Sequence, residues 1–500
     1  MGSGIALTAL LKGMLVTLYD VSPEVLDKAR GYIEQHLARK NRQADLKHLA
    51  LTTDLNTMHR AGVVIEAIPE DLQLKTELFA RLESICPPPA ILATNTSTLP
   101  VTAIAAATGT PERVAGMHFF NPAPVLPLVE IIRGARTDPE TIHTLVALAE
   151  KIGKTPVVAR DTPGFIVNRV ARPFYGEALR LLGEGTATVQ EIDRLVCMGG
   201  GFRMGPFQLM DLIGIDINFT ATQSMYEQTF GEPRYRPHQI QAQMVQQGAL
   251  GRKTGRGFYD YDEKAPSDNP PPPQINKNSG QVALSGGSKA PGLDQICRKS
   301  GYRLTKEYTV KPIMGIVTAG KSEGMIKQVI QMDHNLPPEI PLLCQSTDVT
   351  LTEVAGWVNR PERLVGFDSL FFANGSVATL VASPVLHSQA RLAVEAFISS
   401  LGRLSMWVQD SPALVLPRIV CMLANEAAFA LGEGVADLVT IDKAMQLGTN
   451  YPKGPLAWAK EIGYACVVET LDHLHAEYGE ERYRVAPVLR RWARLGQISA

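Results

Sequence analysis

A histidine and a glutamate twelve positions apart are the strongest candidates for chemistry in this chain. His118 lies in an apolar run with Phe119 and Phe120, and Glu130 lies in the β-branched run 129–132. A carboxylate inside an apolar strand is costly unless it is paired. A nearby imidazole would pair with it and be held in one tautomer, as in a general base with its orienting group. The alternative is a core histidine and an unrelated surface glutamate, which is the commoner outcome for an isolated pair.

The segments around this pair predict a parallel α/β sheet. Residues 62–69 and 90–94 read as buried parallel strands, and the second runs directly into the polar tetrad Asn95-Thr96-Ser97-Thr98. Open α/β sheets bind ligands at the carboxyl ends of their strands. Two roles of the tetrad are therefore equally consistent with the sequence. Asn95 and Ser97 contact a ligand, or the tetrad forms only a helix N-cap with its turn.

The first twenty residues read as a helix and a strand that ends in Asp20. An αβ pair closed by an acid is the second half of a dinucleotide-binding unit, in which the acid binds the ribose hydroxyls. Gly2 fits the third glycine of the phosphate-binding fingerprint. The first strand and the leading G-x-G do not precede it, so the chain is expected to start one strand late. An acid without a neighbouring arginine favours NAD over NADP.

Composition shifts divide the chain into five predicted segments. They are a Rossmann-type NAD-binding domain (1–160), a helical domain for substrate binding or dimerisation (161–262), a flexible linker rich in Pro, Ser and Gly (263–294), a degenerate Rossmann-like repeat (295–409) and a second helical domain (410–500). The predicted fold class is thus an α/β Rossmann-type domain lacking its first strand, then an all-α domain, with a degenerate α/β plus all-α repeat.

The helical domains form an internal repeat. Arg169 recurs as Arg418 (418 minus 169 is 249), and the pairs Asp161/Asp410, Glu177/Glu426 and Ile213/Ile462 have the same spacing. A constant offset over such a span indicates a duplicated domain.

The α/β part repeats more faintly, with an offset of 250 at Pro111 and Pro361. This register sets Ser97 opposite Thr347, His118 opposite Asp368 and Glu130 opposite Leu380, while Asn168 falls opposite Pro417 in the helical copy. The second copy keeps scaffold residues and lacks the candidate chemical ones. An active site is therefore expected in the first half only.

The overall composition excludes several classes of function. The chain has 500 residues, a net charge of -1 and 45% hydrophobic residues, with no basic excess that would indicate nucleic acid or a membrane surface. No apolar run is long enough to span a bilayer. The six cysteines are scattered without a CxxC pattern, which predicts reduced thiols in the cytoplasm and no metal site.

The ordered motifs resemble the 3-hydroxyacyl-CoA dehydrogenase family. The matching stretches are MGSGIA, LYD, EAIPED with Lys75, ATNTS, GMHFFNP, LVEII, DTPGFIVNR and GRKTGRGFYDY. They cover residues 1 to about 262, and the second helical repeat is most similar to the two-copy bacterial members. The resemblance implies NAD-dependent oxidation of a (3S)-3-hydroxyacyl-CoA in aromatic (phenylacetate) or fatty acid catabolism.

The resemblance also implies roles for individual residues. His118 would be the base and Glu130 its partner, while Ser97 and Asn168 would hydrogen-bond the substrate oxygen. The cofactor side would use Asp20 for the adenosine ribose, Glu70, Lys75 and Asn95 near the nicotinamide ribose, and Asn121 in the active-site turn. The partners implied are an acyl-CoA substrate and either a homo-oligomer or a pseudo-dimer within the chain.

Two alternative interpretations are open. The first is a truncated, catalytically impaired chain that binds acyl-CoA or has a structural role, and an NAD titration separates it from the dehydrogenase. The second is another β-hydroxyacid dehydrogenase of similar layout. Such enzymes use a catalytic lysine, which the His118 and Glu130 motifs do not fit.

Overall fold

The structure, a computed structural model, describes residues 1–261, 270–275, 278–286, 290–306, 311–320 and 323–498. Contacts divide the chain into two compact units. The first contains Met1–Val170 with Ala430–Gly454, and the second contains Ala171–Phe429 with the chain from Pro455 onward. These units cut across the segments predicted from sequence, because Ala430–Gly454 belongs to the second helical repeat and packs with the first 170 residues.

The first 261 residues contain both predicted element types. The strands are β1 (Val16–Tyr19), β2 (Leu49–Thr52), β3 (Val63–Glu66), β4 (Ile91–Thr94), β5 (Val114–Phe119), β6 (Leu128–Arg133) and β7 (Thr155–Arg160). The helices are α1 (Gly2–Leu10), α2 (Pro23–Arg39), α3 (Leu72–Ile85), α4 (Val101–Ala105), α5 (Pro139–Lys151), α6 (Val167–Val170), α7 (Arg172–Gly183), α8 (Val189–Arg194), α9 (Pro206–Ile213), α10 (Ile215–Gln228) and α11 (Gln239–Gln246).

The elements of the described residues from 278 onward follow a similar order, but they begin with a strand instead of a helix. The strands are β8 (Gln281–Ser285), β9 (Arg303–Thr305), β10 (Met314–Val317), β11 (Leu342–Gln345), β12 (Leu364–Phe367), β13 (Val377–Ala382) and β14 (Leu404–Val408). The helices are α12 (Leu293–Lys299), α13 (Glu323–Asn335), α14 (Leu351–Ala355), α15 (Ser388–Ser400), α16 (Leu416–Gly432), α17 (Leu438–Thr449), α18 (Pro455–Ile462), α19 (Tyr464–Tyr478) and α20 (Pro487–Ile498).

The strands of the first unit form two sheets. β1 pairs with β2 in a parallel ladder, and β3 to β7 form a five-stranded sheet in chain order. Only the β5–β6 pair of that sheet is antiparallel. The parallel pairs bring the carboxyl ends of β3 and β4 to one edge, where the polar tetrad after β4 begins.

The five-stranded sheet is covered on both faces because its strand residues alternate between two cores. Ile91 and Ala93 face a core shared with α1 and α5. Leu92 faces a second core, to which α3 contributes Phe79 and α4 contributes Ile104. Strands buried on both faces read as continuous apolar runs, which is why the sequence alone predicts β4 as a buried strand.

The second unit contains a seven-stranded sheet in the order β14-β13-β12-β11-β10-β8-β9. β8 lies between β10 and β9 and pairs in parallel with both. The predicted linker is therefore wrong for Gln281–Ser285, whose Val282 and Ala283 are fully buried in the sheet. The linker residues 263–269, 276–277 and 287–289 lie outside the described residues. β8 thus connects β9 and β10 into one sheet. Among residues 1–170, no strand pairs with both β1 and β3, so these two strands lie in separate sheets.

The repeated residues serve as scaffold in both copies. Asp161 accepts hydrogen bonds from the amides of Val101 and Thr102 at the start of α4. Asp410 accepts the corresponding bonds from Leu351 and Thr352 at the start of α14. Both copies of the predicted duplication thus contain the same contact between an aspartate and the start of a helix.

The helical repeats are joined by reciprocal pairs. The Tyr235 hydroxyl donates to Glu426 at 2.6 Å, and the Tyr483 hydroxyl donates to Glu177 at 3.1 Å. Glu426 and Glu177 are counterparts in the repeat, so each glutamate receives a tyrosine from the other copy. Reciprocal contacts of this kind are also the pattern found at isologous dimer interfaces.

Candidate active site

His118 and Glu130 lie directly opposite each other on the antiparallel strands β5 and β6. His118 Nδ1 and Glu130 Oε2 are 2.8 Å apart, and both side chains are buried. The carboxylate accepts from Nδ1–H, which leaves Nε2 as the second ring nitrogen. The structure thus brings together the two residues predicted to form a base and its orienting group.

The second oxygen of Glu130 holds the start of α6. Oε1 accepts the backbone amides of Ile166 at 3.1 Å and Val167 at 3.0 Å. A buried carboxylate with three hydrogen-bond partners is satisfied and fixed in orientation. The rings of Phe120 and Phe165 lie 4.6 and 6.1 Å from the imidazole and give it an apolar wall.

Ser97 and Asn168 also meet in the structure. The Asn168 side-chain amide donates to the Ser97 carbonyl oxygen at 3.2 Å. Ser97 lies in the loop after β4, and Asn168 follows the amides that bind Glu130. All four predicted catalytic residues therefore lie on neighbouring segments of the first unit.

Glu70 clamps the loop that carries Ser97. Its Oε1 accepts the backbone amides of Ser97 at 2.8 Å and Thr98 at 2.9 Å, and also the Thr96 hydroxyl at 2.6 Å. Burial opposes ionisation, but the Thr96 hydrogen bond and the charge of Lys75 hold the pKa of Glu70 below its usual value. Glu70 is therefore a carboxylate that fixes the geometry of this loop.

Lys75 lies beneath that loop and is fully buried. Its ammonium is 2.6 Å from Glu66 and 3.6 Å from Glu70. Asn95 pins the neighbouring strand, since its Oδ1 accepts the amide of Phe119 at 2.8 Å. In this structure Lys75 supports Glu70, and Asn95 ties the polar tetrad to the strand of His118.

The remaining predicted cofactor residues lie on other segments. Asp20 follows β1, where its Oδ1 accepts the Ser22 amide at 3.0 Å, and Gly2 begins α1. Asn121 is exposed and precedes Pro122 through a cis peptide bond. A Cβ added to Gly4 would lie 3.2 Å from a ring carbon of Pro124. The first turn of α1 thus packs closely on the loop that follows His118.

Comparison with known proteins identifies the chain. Residues 1–162 match the NAD-binding domain of 3-hydroxyacyl-CoA dehydrogenase, and residues 164–261 and 414–500 match its C-terminal domain. The 3-hydroxyadipyl-CoA dehydrogenase of Escherichia coli K12 is 37% identical over 99% of this chain. The chain belongs to the 3-hydroxyacyl-CoA dehydrogenase family. The resemblance, the fold class and NAD as cofactor are thereby confirmed.

Two further relatives match different shares of this chain. A crystal structure named 3-hydroxybutyryl-CoA dehydrogenase, from Escherichia coli K12, covers 100% of this chain and 97% of its own at 36% identity, with a TM-score of 0.84. A probable 3-hydroxybutyryl-CoA dehydrogenase of Bacillus subtilis is 44% identical but covers only 53% of this chain. The alignment covers 96% of the 3-hydroxyadipyl-CoA dehydrogenase, so the expected truncation gains no support from these relatives.

The second repeat of this dehydrogenase has neither a histidine nor a glutamate at the positions that match His118 and Glu130, and one predicted correspondence is wrong. β12 and β13 pair Gly366 with Val381 and Phe367 with Leu380, and the Asp368 amide bonds to the Thr379 carbonyl oxygen. Asp368 therefore occupies the position of His118, but the position of Glu130 belongs to Thr379 and not to Leu380. The connection between these strands is one residue shorter than in the first copy, which the Pro111/Pro361 register alone did not reveal.

Asp368 is itself unusual, because it is a buried carboxylate held by backbone amides. Its Oδ1 accepts the amides of Leu370 and Phe371. Burial raises the pKa of Asp368 to about 7, against the opposing effect of these hydrogen bonds. The residue is placed like a base, but this position carries neither an imidazole nor, at Thr379, an orienting carboxylate.

The sequence analysis missed three contributors to the geometry of the candidate site. Glu66 is another carboxylate in an apolar strand, and the rule that identified Glu130 would also have found it. Lys154 donates to the carbonyl oxygens of Ala123 and Leu126, which holds the loop after His118, and nothing in its local sequence indicates this. The amide donors at the start of α6 are backbone groups, so no residue type reveals them.

The described part of the chain offers no alternative site of two common kinds. It contains no group of three or more His, Cys, Asp or Glu residues arranged to hold a metal ion. None of its helices combines the length and apolar character needed to cross a membrane.

Proposed function

We propose that this chain oxidises (3S)-3-hydroxyacyl-CoA to 3-oxoacyl-CoA with NAD as the hydride acceptor, and that the first repeat performs the reaction. Family membership supports the reaction class. The observation that carries the assignment of the site is the buried 2.8 Å contact between His118 Nδ1 and Glu130 Oε2.

In this proposal His118 acts as the general base. Its Nε2 takes the proton of the 3-hydroxyl group while the hydrogen on the same carbon leaves as hydride. Bound NAD supplies the electrophilic carbon that accepts that hydride. The Glu130 carboxylate stabilises the imidazolium that forms and keeps the ring in its productive tautomer. Burial of the pair strengthens this electrostatic effect relative to water.

Ser97 and Asn168 are proposed to bind the substrate oxygen. The Ser97 hydroxyl lies 3.2 Å from Glu70, and the Asn168 amide lies 3.2 Å from the Ser97 carbonyl oxygen. Donors aimed at an oxygen that becomes negative lower the barrier. Such donors must be held in place, and Glu70 supports this role because it fixes the loop of Ser97.

The residues present fit an NAD molecule at the carboxyl edge of the sheets. Asp20 follows β1 directly and is half-buried, with one backbone donor at its Oδ1, so the carboxylate has capacity for ribose hydroxyls. We place Gly2 near the pyrophosphate, Asn95 and Asn121 near the nicotinamide side, and Lys75 as a support of Glu70 on that side.

The substrate class and domain roles extend this proposal. A full-length relative is named for 3-hydroxyadipyl-CoA, so we propose that a dicarboxylyl acyl-CoA is oxidised at least as well as 3-hydroxybutyryl-CoA. We further propose 1–160 as the NAD-binding domain and 161–262 as the substrate domain. The segments 295–409 and 410–500 would complete a pseudo-dimer within the chain, which predicts a monomer of 54.4 kDa in solution.

The test is NADH formation from NAD with 3-hydroxyadipyl-CoA and 3-hydroxybutyryl-CoA in parallel. The expected result is turnover of both, with the higher kcat/KM for the first, and loss of turnover in His118→Asn by a factor of about 10² to 10⁴. NAD binding is measured on the same samples by titration. Turnover of neither substrate by a chain that binds NAD would overturn the assignment.

A further inference from the structure

A segment of the second repeat packs on the elements that carry the catalytic pair. Ala430–Gly454 belongs to the first compact unit, and its helix α17 packs against β6, β7 and α6. β6 carries Glu130, and α6 begins at Val167, whose amide Glu130 accepts. Helix α17 therefore contacts both the strand that carries Glu130 and the helix whose first amide donates to Glu130.

Gly448 is the point of closest approach. A Cβ added at Gly448 would lie 2.7 Å from Leu128 Cδ2 on β6 and 3.1 Å from Val167 Cγ2 on α6. Leu128 and Val167 are both buried, so neither has room to yield. Because residue 448 is a glycine, α17 can pack directly against the strand of Glu130 and against Val167, whose amide donates to Glu130.

Two further contacts fasten the same segment. Glu433 lies 2.8 Å from the buried guanidinium of Arg169, which follows Asn168 in the chain. The Arg160 amide at the end of β7 donates to the Val435 carbonyl oxygen at 2.9 Å. The short stretch from Ile166 to Arg169 is thus held from one side by Glu130 and from the other by the second repeat.

The repeat supplies the same contact at a place without catalytic residues. Gly199 is the counterpart of Gly448 (448 minus 199 is 249), and its added Cβ would lie 3.0 Å from Leu416 and 3.5 Å from Val377. Leu416 and Val377 are the counterparts of Val167 and Leu128. That contact supports β13, where Thr379 stands in the position of Glu130.

We propose that Gly448 and the segment around it are positioning elements of the active site, so that the second repeat sets the geometry of the His118–Glu130 pair. This inference rests on the proposed function of that pair. It assigns a role in catalysis to the half of the chain that does not contain the proposed catalytic pair.

The test compares Gly448→Ala with Gly199→Ala in the full-length chain. Both add one methyl group against buried side chains at counterpart positions of the repeat, and we expect both to lower Tm. Only Gly448→Ala should lower kcat, by about 10-fold to 10²-fold, because a small displacement of a catalytic group is costly. The KM for acyl-CoA should change little. Equal kcat in the two variants would overturn the proposal.

A spectroscopic readout makes the result independent of turnover. The Nδ1 proton of His118 on a carboxylate gives a downfield proton resonance, which is assigned by its loss in His118→Asn. Gly448→Ala should shift or broaden this resonance and Gly199→Ala should leave it unchanged. A parent chain that turns over no substrate would defeat the proposed function, while an unchanged resonance in Gly448→Ala would defeat this inference.

A milder pair of variants serves if Gly448→Ala does not fold. Glu433→Gln and Glu184→Gln change counterpart residues that are both partly exposed. We expect Glu433→Gln to affect kcat and the His118 resonance more than Glu184→Gln does. The reverse order would count against it, as would a double variant of Gly448→Ala with Leu128→Val that fails to recover kcat.

Discussion

The two oxygens of Glu130 have different tasks, and this separates catalysis from stability at a single residue. Oε2 faces His118, whereas Oε1 accepts the amides of Ile166 and Val167. In Glu130→Gln the carbonyl oxygen can keep the two amides, and the new NH₂ group then faces His118 Nδ1. The ring must present Nδ1 as an acceptor and carry its proton on Nε2, the nitrogen that should receive the substrate proton.

We therefore expect Glu130→Gln to lower kcat by about 10² to 10⁴ while Tm stays near that of the parent. Steady-state kinetics and thermal unfolding measure the two effects. Glu140→Gln, at a highly exposed side chain on α5, is the control and should change neither. A parental kcat in the Glu130→Gln variant would show that Glu130 does not set the tautomer of His118.

Asp368 predicts a pH dependence of stability. Its pKa is about 7 in the folded chain because of burial, and its ordinary value is 3.8. The folded state therefore holds the proton more tightly than the unfolded state, so stability falls as pH rises from about 4 to 7 and is level above that. Asp368→Asn keeps an oxygen for the amides of Leu370 and Phe371 and removes the charge.

We expect the parent to lose about 2 kcal/mol of unfolding free energy relative to Asp368→Asn between about pH 5.5 and 7. Urea unfolding at several pH values measures this difference. Burial raises the pKa of the nearby Cys421 thiol, so this group stays protonated across the range and does not contribute to the difference. A difference that stays constant across this range would mean that Asp368 is ionised throughout.

The candidate catalytic residues could be picked out from the sequence because their types conflict with their surroundings, and their catalytic roles stay a prediction. Glu130 stands out as a charge in an apolar strand, and comparison with the second repeat sets His118, Ser97 and Asn168 apart. The contact of Gly448 with β6 could not be predicted, since a glycine carries no sign of what approaches it from 320 residues away (448 minus 128).

At the scale of elements, a contact in the first copy can be tested against the corresponding contact in the second copy. Asp161 and Asp410 bind the first amides of α4 and α14 in the same way. α4 follows the loop of Ser97, whereas α14 follows the degenerate loop of Thr347. Asp161→Ala and Asp410→Ala should each cost about 0.5–2 kcal/mol of stability, as for the loss of a helix cap.

Only Asp161→Ala should also lower kcat/KM, because only its helix is attached to the catalytic loop. Chemical unfolding and kinetics on both variants decide this. If both variants lose the same fraction of kcat/KM, the loss comes from general destabilisation. If both keep the parental kcat/KM, α4 does not position Ser97.

Elements are predictable where a long pattern defines them and unpredictable where pairing is non-local. β4 is expected from sequence because its apolar run is buried on both faces. β8 resembles linker in sequence because Gln281–Ser285 is five residues long and follows a proline-rich stretch, and only its partners β9 and β10 make it a central strand. The one-residue difference at Thr379 likewise becomes visible only in the pairing of β12 with β13.

At the scale of the whole molecule, the two repeats divide the work. The first has the proposed catalytic pair, and the second supplies α17 to the first unit and further helices to the second unit. Arg418 shows what the helical repeats contribute in the second unit. It is fully buried and pairs with Glu177 at 2.8 Å and with Glu184 at 2.7 Å.

Arg418→Met should cost about 3–5 kcal/mol of unfolding free energy, because it leaves the buried Glu177 carboxylate without its main cationic partner. Adding Glu177→Gln should recover part of that loss, since contacting residues couple by about 0.5–3 kcal/mol. Unfolding of the two single variants and the double variant measures the coupling. The kcat of the folded Arg418→Met protein should stay near the parental value, because this network contacts α7 and α16 but no catalytic side chain. A large fall in kcat at unchanged stability would instead tie the network to the active site.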